Sequence, residues 1–449
     1  MSVLAGGRLH SSLADPLLSA MTFLNEVTSR FPDAISFAPG RPYEGLFDPD
    51  SVTADIAAYT AYLRDGLGFG PGRVREALFQ YGRTNGQIHA LVAETVGNDE
   101  DLHVAPEAVV VTVGAQEGML LAVRALAAGP ADVLLVSSPC YVGITGVARL
   151  LDVAVEPVPE GPDGPDPDAV TAAARRVRAS GRRPVAFYVV PDFANPSGAS
   201  MTVADRHRLL AVAAEQDLLV IEDNPYGFFG RDDTVRPTLK SLDTEHRVLY
   251  LGSFAKTCFP GARVGYVLAD QPVRWPDGTV TLLADELAKI KSMTTVNTPS
   301  LTQAAIGGLL VRNGCRLRGA NADTTRFYRR NMERLLAGLE AELGAHPDVR
   351  WNAPGGGFFA VVQVPFAADD AALEVSAREH GVLWTPMSSF YLDGGGTHEL
   401  RLSCSYVQPE EVDEGVRRLA AFIRTQTQTQ TQTRAPAPAE AAAPAPAHR

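Results

Sequence analysis

Between residues 105 and 270, short and nearly unbroken apolar runs alternate with stretches of helical period. The runs Ala108–Val113, Val133–Ser137, Val185–Val190, Leu218–Glu222, Val248–Leu251 and Val264–Leu268 are rich in β-branched residues and show little polar alternation. Strands covered on both faces have this pattern. Glu117–Ala128 and Thr202–Gln216 read as helices between them, the second opened by Thr202 and Asp205 at capping-box-like spacing. Such alternation predicts an α/β fold with a mostly parallel sheet. Asp323–Leu343 reads as one long amphipathic helix leading into a smaller α+β domain. The first 45 residues show no strand periodicity and end in a loop-forming cluster, Ser-Phe-Ala-Pro-Gly-Arg-Pro-Tyr-Glu-Gly. The expected organisation is an N-terminal arm (1–45), a large domain (46–320), a small C-terminal domain (321–424) and a tail (425–449). The Thr-Gln repeats and Ala-Pro run of that tail cannot bury a core and are expected to be disordered.

Composition narrows the function classes. The 449 residues are 45% hydrophobic and 20% charged, enough apolar material for a large core. A formal net charge of −12 argues against nucleic acid as a partner, since phosphate contacts need clustered Lys and Arg. The four cysteines, at 140, 258, 315 and 404, have no metal-ligand spacing, so no metal is expected and a reducing cytoplasm is. The start, Met-Ser-Val-Leu-Ala-Gly-Gly-Arg-Leu-His, lacks a long apolar region, and no run approaches about 18 apolar residues; neither a signal peptide nor a membrane span is expected.

The chemistry concentrates in Gly-Ser-Phe-Ala-Lys-Thr-Cys-Phe-Pro-Gly-Ala-Arg-Val-Gly-Tyr, residues 252–266. Lys256 offers an amine that can condense with an aldehyde, while Ser253 and Arg263 can hold a phosphate. Pyridoxal phosphate requires that combination. Five further segments stand at or just beyond strand ends, and each has a plainer structural reading. Gly114-Ala115-Gln116 opens a helix and can offer backbone N–H groups to an anion, or be an ordinary strand-to-helix turn. Tyr141, in Ser-Ser-Pro-Cys-Tyr-Val-Gly, can stack on a flat ring or fill the core. Asn195, in Asn-Pro-Ser-Gly, can set its amide against a phenolic oxygen or only make a turn. Asp223, in Val-Ile-Glu-Asp-Asn-Pro-Tyr, can pair with a protonated pyridine nitrogen, with Tyr226 donating to the ring oxygen; its plainer role is a helix cap. Arg401, on an alternating strand, can fork onto a carboxylate or face solvent. Ligands collect at the carboxyl ends of strands in open α/β sheets, and the joint order favours one site.

In these motifs, over about residues 10–424, the chain resembles the class I/II aminotransferases of pyridoxal-phosphate fold type I, nearest the branch of 2-aminoadipate and kynurenine aminotransferases. Leu-Ala-Asp-Pro-Leu-Leu-Ser-Ala-Met-Thr-Phe-Leu-Asn-Glu-Val (13–27) and Ser-Ser-Pro-Cys-Tyr-Val-Gly-Ile-Thr-Gly (137–146) are further similar to dihydroxyphenylglycine aminotransferases of antibiotic pathways. The resemblance implies that Lys256 carries pyridoxal 5'-phosphate and that Asp223 pairs with its ring nitrogen. It implies Asn195 and Tyr226 at the ring oxygen, Tyr141 stacked on the ring, and Ala115, Gln116, Ser253 and Arg263 around the phosphate. Tyr81 would reach the phosphate from the second subunit of a homodimer. Arg401 would clamp the substrate carboxylate, with Gly40 and Asn195 facing the substrate. The implied reaction moves an amino group between an L-amino acid and a 2-oxo acid, with an aryl acceptor in secondary metabolism.

The chain departs from the family pattern at three positions. Ala115 and Ala255 each remove a hydroxyl usual near the phosphate, and Met387 stands where a glycine is usual beside the substrate channel. Related enzymes on this cofactor perform γ-replacement, C–C bond formation or oxidation, which the sequence leaves open. A transcriptional regulator with an aminotransferase-like domain would carry an N-terminal winged-helix DNA-binding domain, and residues 1–45 show no basic recognition helix; a Rossmann dehydrogenase would need Gly-x-Gly-x-x-Gly after a strand; neither function is expected.

Overall fold

The computed structural model describes residues 3–15, 18 and 28–434. Most of the 13–27 motif and all of 435–449 therefore lie outside the described residues. The large sheet has eight strands: β1 (Val109–Thr112), β2 (Asp132–Ser138), β3 (Ala154–Gly161), β4 (Gly164–Pro165), β5 (Arg183–Val189), β6 (Leu219–Asp223), β7 (Val248–Ser253) and β8 (Gly265–Leu268). Their order across the sheet is β1-β8-β7-β6-β5-β2-β3-β4. The pairs from β7 through β3 are parallel. β8 runs against both its neighbours, β1 and β7, and β4 runs against β3.

The six expected strands are present with ends shifted by at most two residues. β3 and β4 were not visible in the apolar pattern. β3 carries two prolines and two glutamates and is mostly half-buried, as suits a strand near the sheet edge. The helix after β1 begins at Gly114, three residues before the expected Glu117. The helix Val203–Glu215 starts as expected, with Thr202 Oγ1 accepting from the Asp205 amide at 3.1 Å.

The C-terminal part is a four-stranded antiparallel sheet, ordered β9 (Arg350–Trp351), β10 (Phe359–Gln363), β12 (Glu399–Ser403) and β11 (Thr385–Pro386). The helices Ala322–Leu343 and Pro409–Arg434 pack together beside it, burying Leu335, Leu339, Val412, Val416 and Leu419 in one core. Ile35–Ser36 adds a short parallel pairing with Val382–Leu383. Two residues are too few to announce a strand by periodicity, yet this pairing carries Pro39–Arg41 over the sheet ends.

The disorder expected from residue 425 is corrected over 425–434, where the last helix runs on to Arg434. Thr425 and Thr427 return their hydroxyls to the carbonyls of Ala421 and Ile423, at 3.0 and 2.8 Å, so the polar repeat satisfies itself along the helix. No helix among the described residues is long and apolar enough to cross a membrane.

The helices Pro49–Ala61 and Ser300–Arg312 pack backbone to backbone at Gly308, where a Cβ would occupy the space of the Asp55 carbonyl. Gly308→Ala is expected to cost about 1–3 kcal/mol by forcing these helices apart. Denaturant unfolding checks this, and an unchanged midpoint would contradict the close approach.

Candidate active site

The carboxyl ends of β1, β2, β5, β6 and β7 meet the Pro39–Arg41 segment around a cleft of about 580 Å3. The lining includes Gly40, Ala115, Gln116, Tyr141, Asn195, Asp223, Tyr226, Ser253, Lys256, Arg263 and Arg401. Eleven of the twelve residues expected to bind cofactor or substrate thus come together. Tyr81 does not: it is 83% exposed and lies outside the cleft of its own chain.

Lys256 stands on a single turn, Phe254–Thr257, that follows β7 directly. Ser253 caps that turn, its Oγ accepting from the Ala255 amide at 3.2 Å, which leaves the hydroxyl proton free to donate. Lys256 Nζ donates to the Gly40 carbonyl at 2.7 Å. Burial lowers its pKa to about 8, helped by the positive charges of Arg263 and Arg401 and opposed by Asp223. At pH 7 roughly a tenth of this amine is uncharged, far more than for an ordinary lysine, and the uncharged form is the one a nucleophile or base needs.

Asp223 ends β6 and is almost wholly buried. Burial raises its pKa to about 6, against the lowering effects of Tyr188 and Lys256. Tyr188, on neighbouring β5, donates to Oδ2 at 2.6 Å, whereas Oδ1 has no partner. A buried carboxylate oxygen without a donor is costly, so this one is suited to a ligand N–H. Tyr188 is a functional neighbour that sequence reasoning missed, because within Phe-Tyr-Val-Val it looks like any core strand residue.

Arg401 is also buried, at 2% exposure. Its Nη1 donates to Asn195 Oδ1 at 2.7 Å, and its Nη2 to the Ala38 carbonyl at 2.8 Å and to Thr385 Oγ1 at 3.2 Å. Its guanidinium carbon lies 4.4 Å from the centre of the Phe359 ring and 4.9 Å from that of Phe390. Burial pulls its pKa down to about 10, Nε has no partner, and among the described residues it has no ion pair. A desolvated guanidinium without a counter-charge fits a ligand carboxylate. Asn195 links it to Tyr226, whose hydroxyl it hydrogen-bonds while burial raises that phenol's pKa. Tyr141, its own pKa pushed up to about 12 by burial, faces the same cleft.

The first turn of the helix Gly114–Leu126 has no side-chain cap at Val113, so the N–H groups of Gly114, Ala115 and Gln116 are open to an anion. The Gln116 side chain spends one amide hydrogen on the Gly143 carbonyl at 3.0 Å. Arg263, held at a left-handed φ of 50°, packs its guanidinium against Gly114, where any Cβ would collide with it.

Met387 departs from the expectation that it borders the substrate channel. It is buried against Val142 and Phe390, under Tyr141 and Val361, and lines a neighbouring cavity rather than the cleft. It starts a helical turn directly after β11, which points its side chain into that packing. The four cysteines are free and buried, and no cluster of three or more His, Cys, Asp or Glu among the described residues could hold a metal.

A family model for aminotransferase class I and II matches residues 74–419. The chain is 49% identical over 415 residues to the (S)-3,5-dihydroxyphenylglycine transaminase of Amycolatopsis orientalis, which covers 92% of this chain and 93% of that one. It is 32% identical to the 2-aminoadipate transaminase of Thermus thermophilus, over 93% of this chain and 95% of the relative. Among solved structures, LysN, the α-aminoadipate aminotransferase of Thermus thermophilus complexed with N-(5'-phosphopyridoxyl)-L-leucine, superposes with a TM-score of 0.78. That match is 28% identical and covers 95% of this chain and all of that one.

The geometry sets two expected outcomes. In the ligand-free protein, labelling of Lys256 by an aldehyde with borohydride trapping should rise with a midpoint near pH 8, and Asp223→Asn should move it lower by removing the charge that favours the ammonium. A midpoint near the usual lysine value of about 10.4 would refute the desolvated environment. Tyr188→Phe should cost about 1.5–3 kcal/mol of stability at pH 8, where Asp223 is charged, and less at pH 5, where it is protonated. Equal losses at both values would show that the bond does not depend on the charge.

Proposed function

The chain belongs to the class I and II aminotransferase family, and on that premise we propose that its cleft binds pyridoxal 5'-phosphate and moves an amino group between an L-amino acid and an aryl 2-oxo acid. The dihydroxyphenylglyoxylate-to-dihydroxyphenylglycine type, in antibiotic biosynthesis, is the reading the 49% identical relative supports. The observation that carries the cofactor assignment is the set of complementary groups in one cleft: an unpartnered Asp223 oxygen, an uncapped helix turn beside Arg263, and an amine with lowered pKa at Lys256.

Lys256 holds the cofactor covalently. Arg263, Ser253 and the backbone N–H groups of residues 114–116 would hold its phosphate, and Tyr141 would cover its ring. Asp223 keeps a proton on the ring nitrogen, and Asn195 with Tyr226 hold the ring oxygen. When bound, the cofactor supplies an electron-withdrawing ring and a carbon that carries the amino group. Arg401 forks onto the substrate carboxylate, fixing which bond at the α-carbon faces Lys256. The freed Lys256 amine, with a pKa near 8 in the ligand-free cleft, takes the α-proton as general base. Met119, Val190 and Pro260 give the cleft apolar surface suited to a ring-bearing side chain. In a homodimer, Tyr81 would reach the phosphate of the second subunit; the exposure of Phe79 (71%), Tyr81 and Met293 (83% each) supports a covered face there.

The test is a half-reaction. Holoenzyme mixed with single L-amino acids, including tyrosine, glutamate and hydroxylated phenylglycines, and no acceptor, should convert its cofactor to the amine form with at least one donor. A cofactor returned unchanged alongside a new product would instead place the chemistry among replacement, C–C bond-forming or oxidative reactions. Lys256→Ala should abolish turnover. Arg401→Met should raise the apparent KM for the amino acid about 100-fold, the worth of a charge-assisted hydrogen bond to a buried carboxylate; an unchanged KM would remove the clamp role.

A further inference from the structure

Beneath the first turn of the helix Gly114–Leu126 lies a buried ion pair that takes no part in the chemistry above. The Lys291 side chain is wholly buried and that of Glu117 is 7% exposed. Glu117 Oε2 accepts from Lys291 Nζ at 2.7 Å and from the backbone N–H of Val113 at 2.6 Å. Its Oε1 accepts from Thr295 Oγ1 at 2.6 Å, and Lys291 Nζ donates to the same hydroxyl at 2.9 Å. All the close polar groups therefore come from three places: the turn itself, the helix Leu283–Thr294 and the residue that ends it.

Val113 joins β1 to the helix with φ −76° and ψ 71°, neither strand nor helix. The bond from its N–H to Glu117 closes that junction from below. The opposite surface of the same turn carries the three open N–H groups and the side chains of Ala115 and Gln116 that line the cleft. A bare carboxylate in a first helical turn would compete for those N–H groups and repel an anion. Here one oxygen is occupied by Val113 and Lys291, the other by Thr295, and the charge is balanced by Lys291.

We propose that Glu117, balanced by Lys291, is a positioning residue for the cofactor phosphate: it fixes the Val113–Gln116 turn so that its N–H groups stay open toward the cleft. This rests on the reading that the cleft takes the phosphate of pyridoxal phosphate. Ala115, where the family often has serine, makes the backbone geometry of the turn count for more.

Two double variants isolate the acceptor oxygen at position 117. Glu117→Leu/Lys291→Met removes both charges and the acceptor; Glu117→Gln/Lys291→Met removes the charges but keeps an oxygen for Val113 N–H. Neither leaves an unpaired buried charge, so both should fold, with thermal midpoints as the check. Equilibrium dialysis of the cofactor-stripped full chain then compares pyridoxal phosphate with pyridoxal, which lacks the phosphate. The Leu/Met variant should bind pyridoxal phosphate about tenfold more weakly with pyridoxal affinity unchanged, and the Gln/Met variant should recover wild-type discrimination. Parallel loss for both ligands, or equal binding by the two variants, overturns the positioning role. Wild-type protein that fails to discriminate the two ligands overturns the phosphate site itself, and this role with it.

Discussion

Desolvation of charge at one rim of the large sheet governs this structure. Asp223, Lys256 and Arg401 are each held largely out of water, and burial is the leading cause of every one of their pKa shifts. Buried ionised groups are tolerated only when paired or hydrogen-bonded. The chain satisfies each of them in part: Tyr188 serves one oxygen of Asp223, Gly40 serves the amine, and Asn195, Ala38 and Thr385 serve the guanidinium. All three residues line the cleft, and Asp223 Oδ1 and Arg401 Nε keep a valence that no protein group fills.

The surrounding architecture delivers these groups to the rim of the sheet rather than to its middle. Parallel strands end together, so their carboxyl ends present Asp223, Ser253 and the residues after β1, β2 and β5 to one space. Arg401 arrives from the antiparallel sheet of the C-terminal part, and Gly40 from the segment tied to it by the Ile35–Ser36 pairing. The cleft therefore forms where the large sheet, the antiparallel sheet and the Pro39–Arg41 segment meet, and each contributes a contact to Lys256 or to its charged neighbours.

Much of this was legible in the sequence. The buried strands announced themselves because parallel strands covered on both faces must be continuously apolar, and the site residues stood at their ends. The β3–β4 edge was hidden by its prolines and glutamates, and the helical extent of the Thr-Gln run by its polarity. Tyr188 and Glu117 escaped because their roles depend on what lies across a strand or beneath a turn, which no local spacing records. Met387 was placed beside the channel from its position in the family pattern, while the packing of Val142 and Phe390 draws it aside. Arg401, by its strand pattern alone, could equally have faced solvent; the Phe359 and Phe390 rings against its guanidinium show how it is sealed.

The reversed direction of β8 has a mechanical consequence. Because β7 runs up to Ser253 and β8 runs back from Gly265, pairing at Ser253↔Gly265, the lysine-bearing loop is stitched together at its base. Its backbone is a short closed noose clamped by sheet hydrogen bonds on both legs, not a free arm. With its backbone fixed in this way, the Lys256 amine has only the reach of its own side-chain torsions, pivoting from a base the sheet holds still.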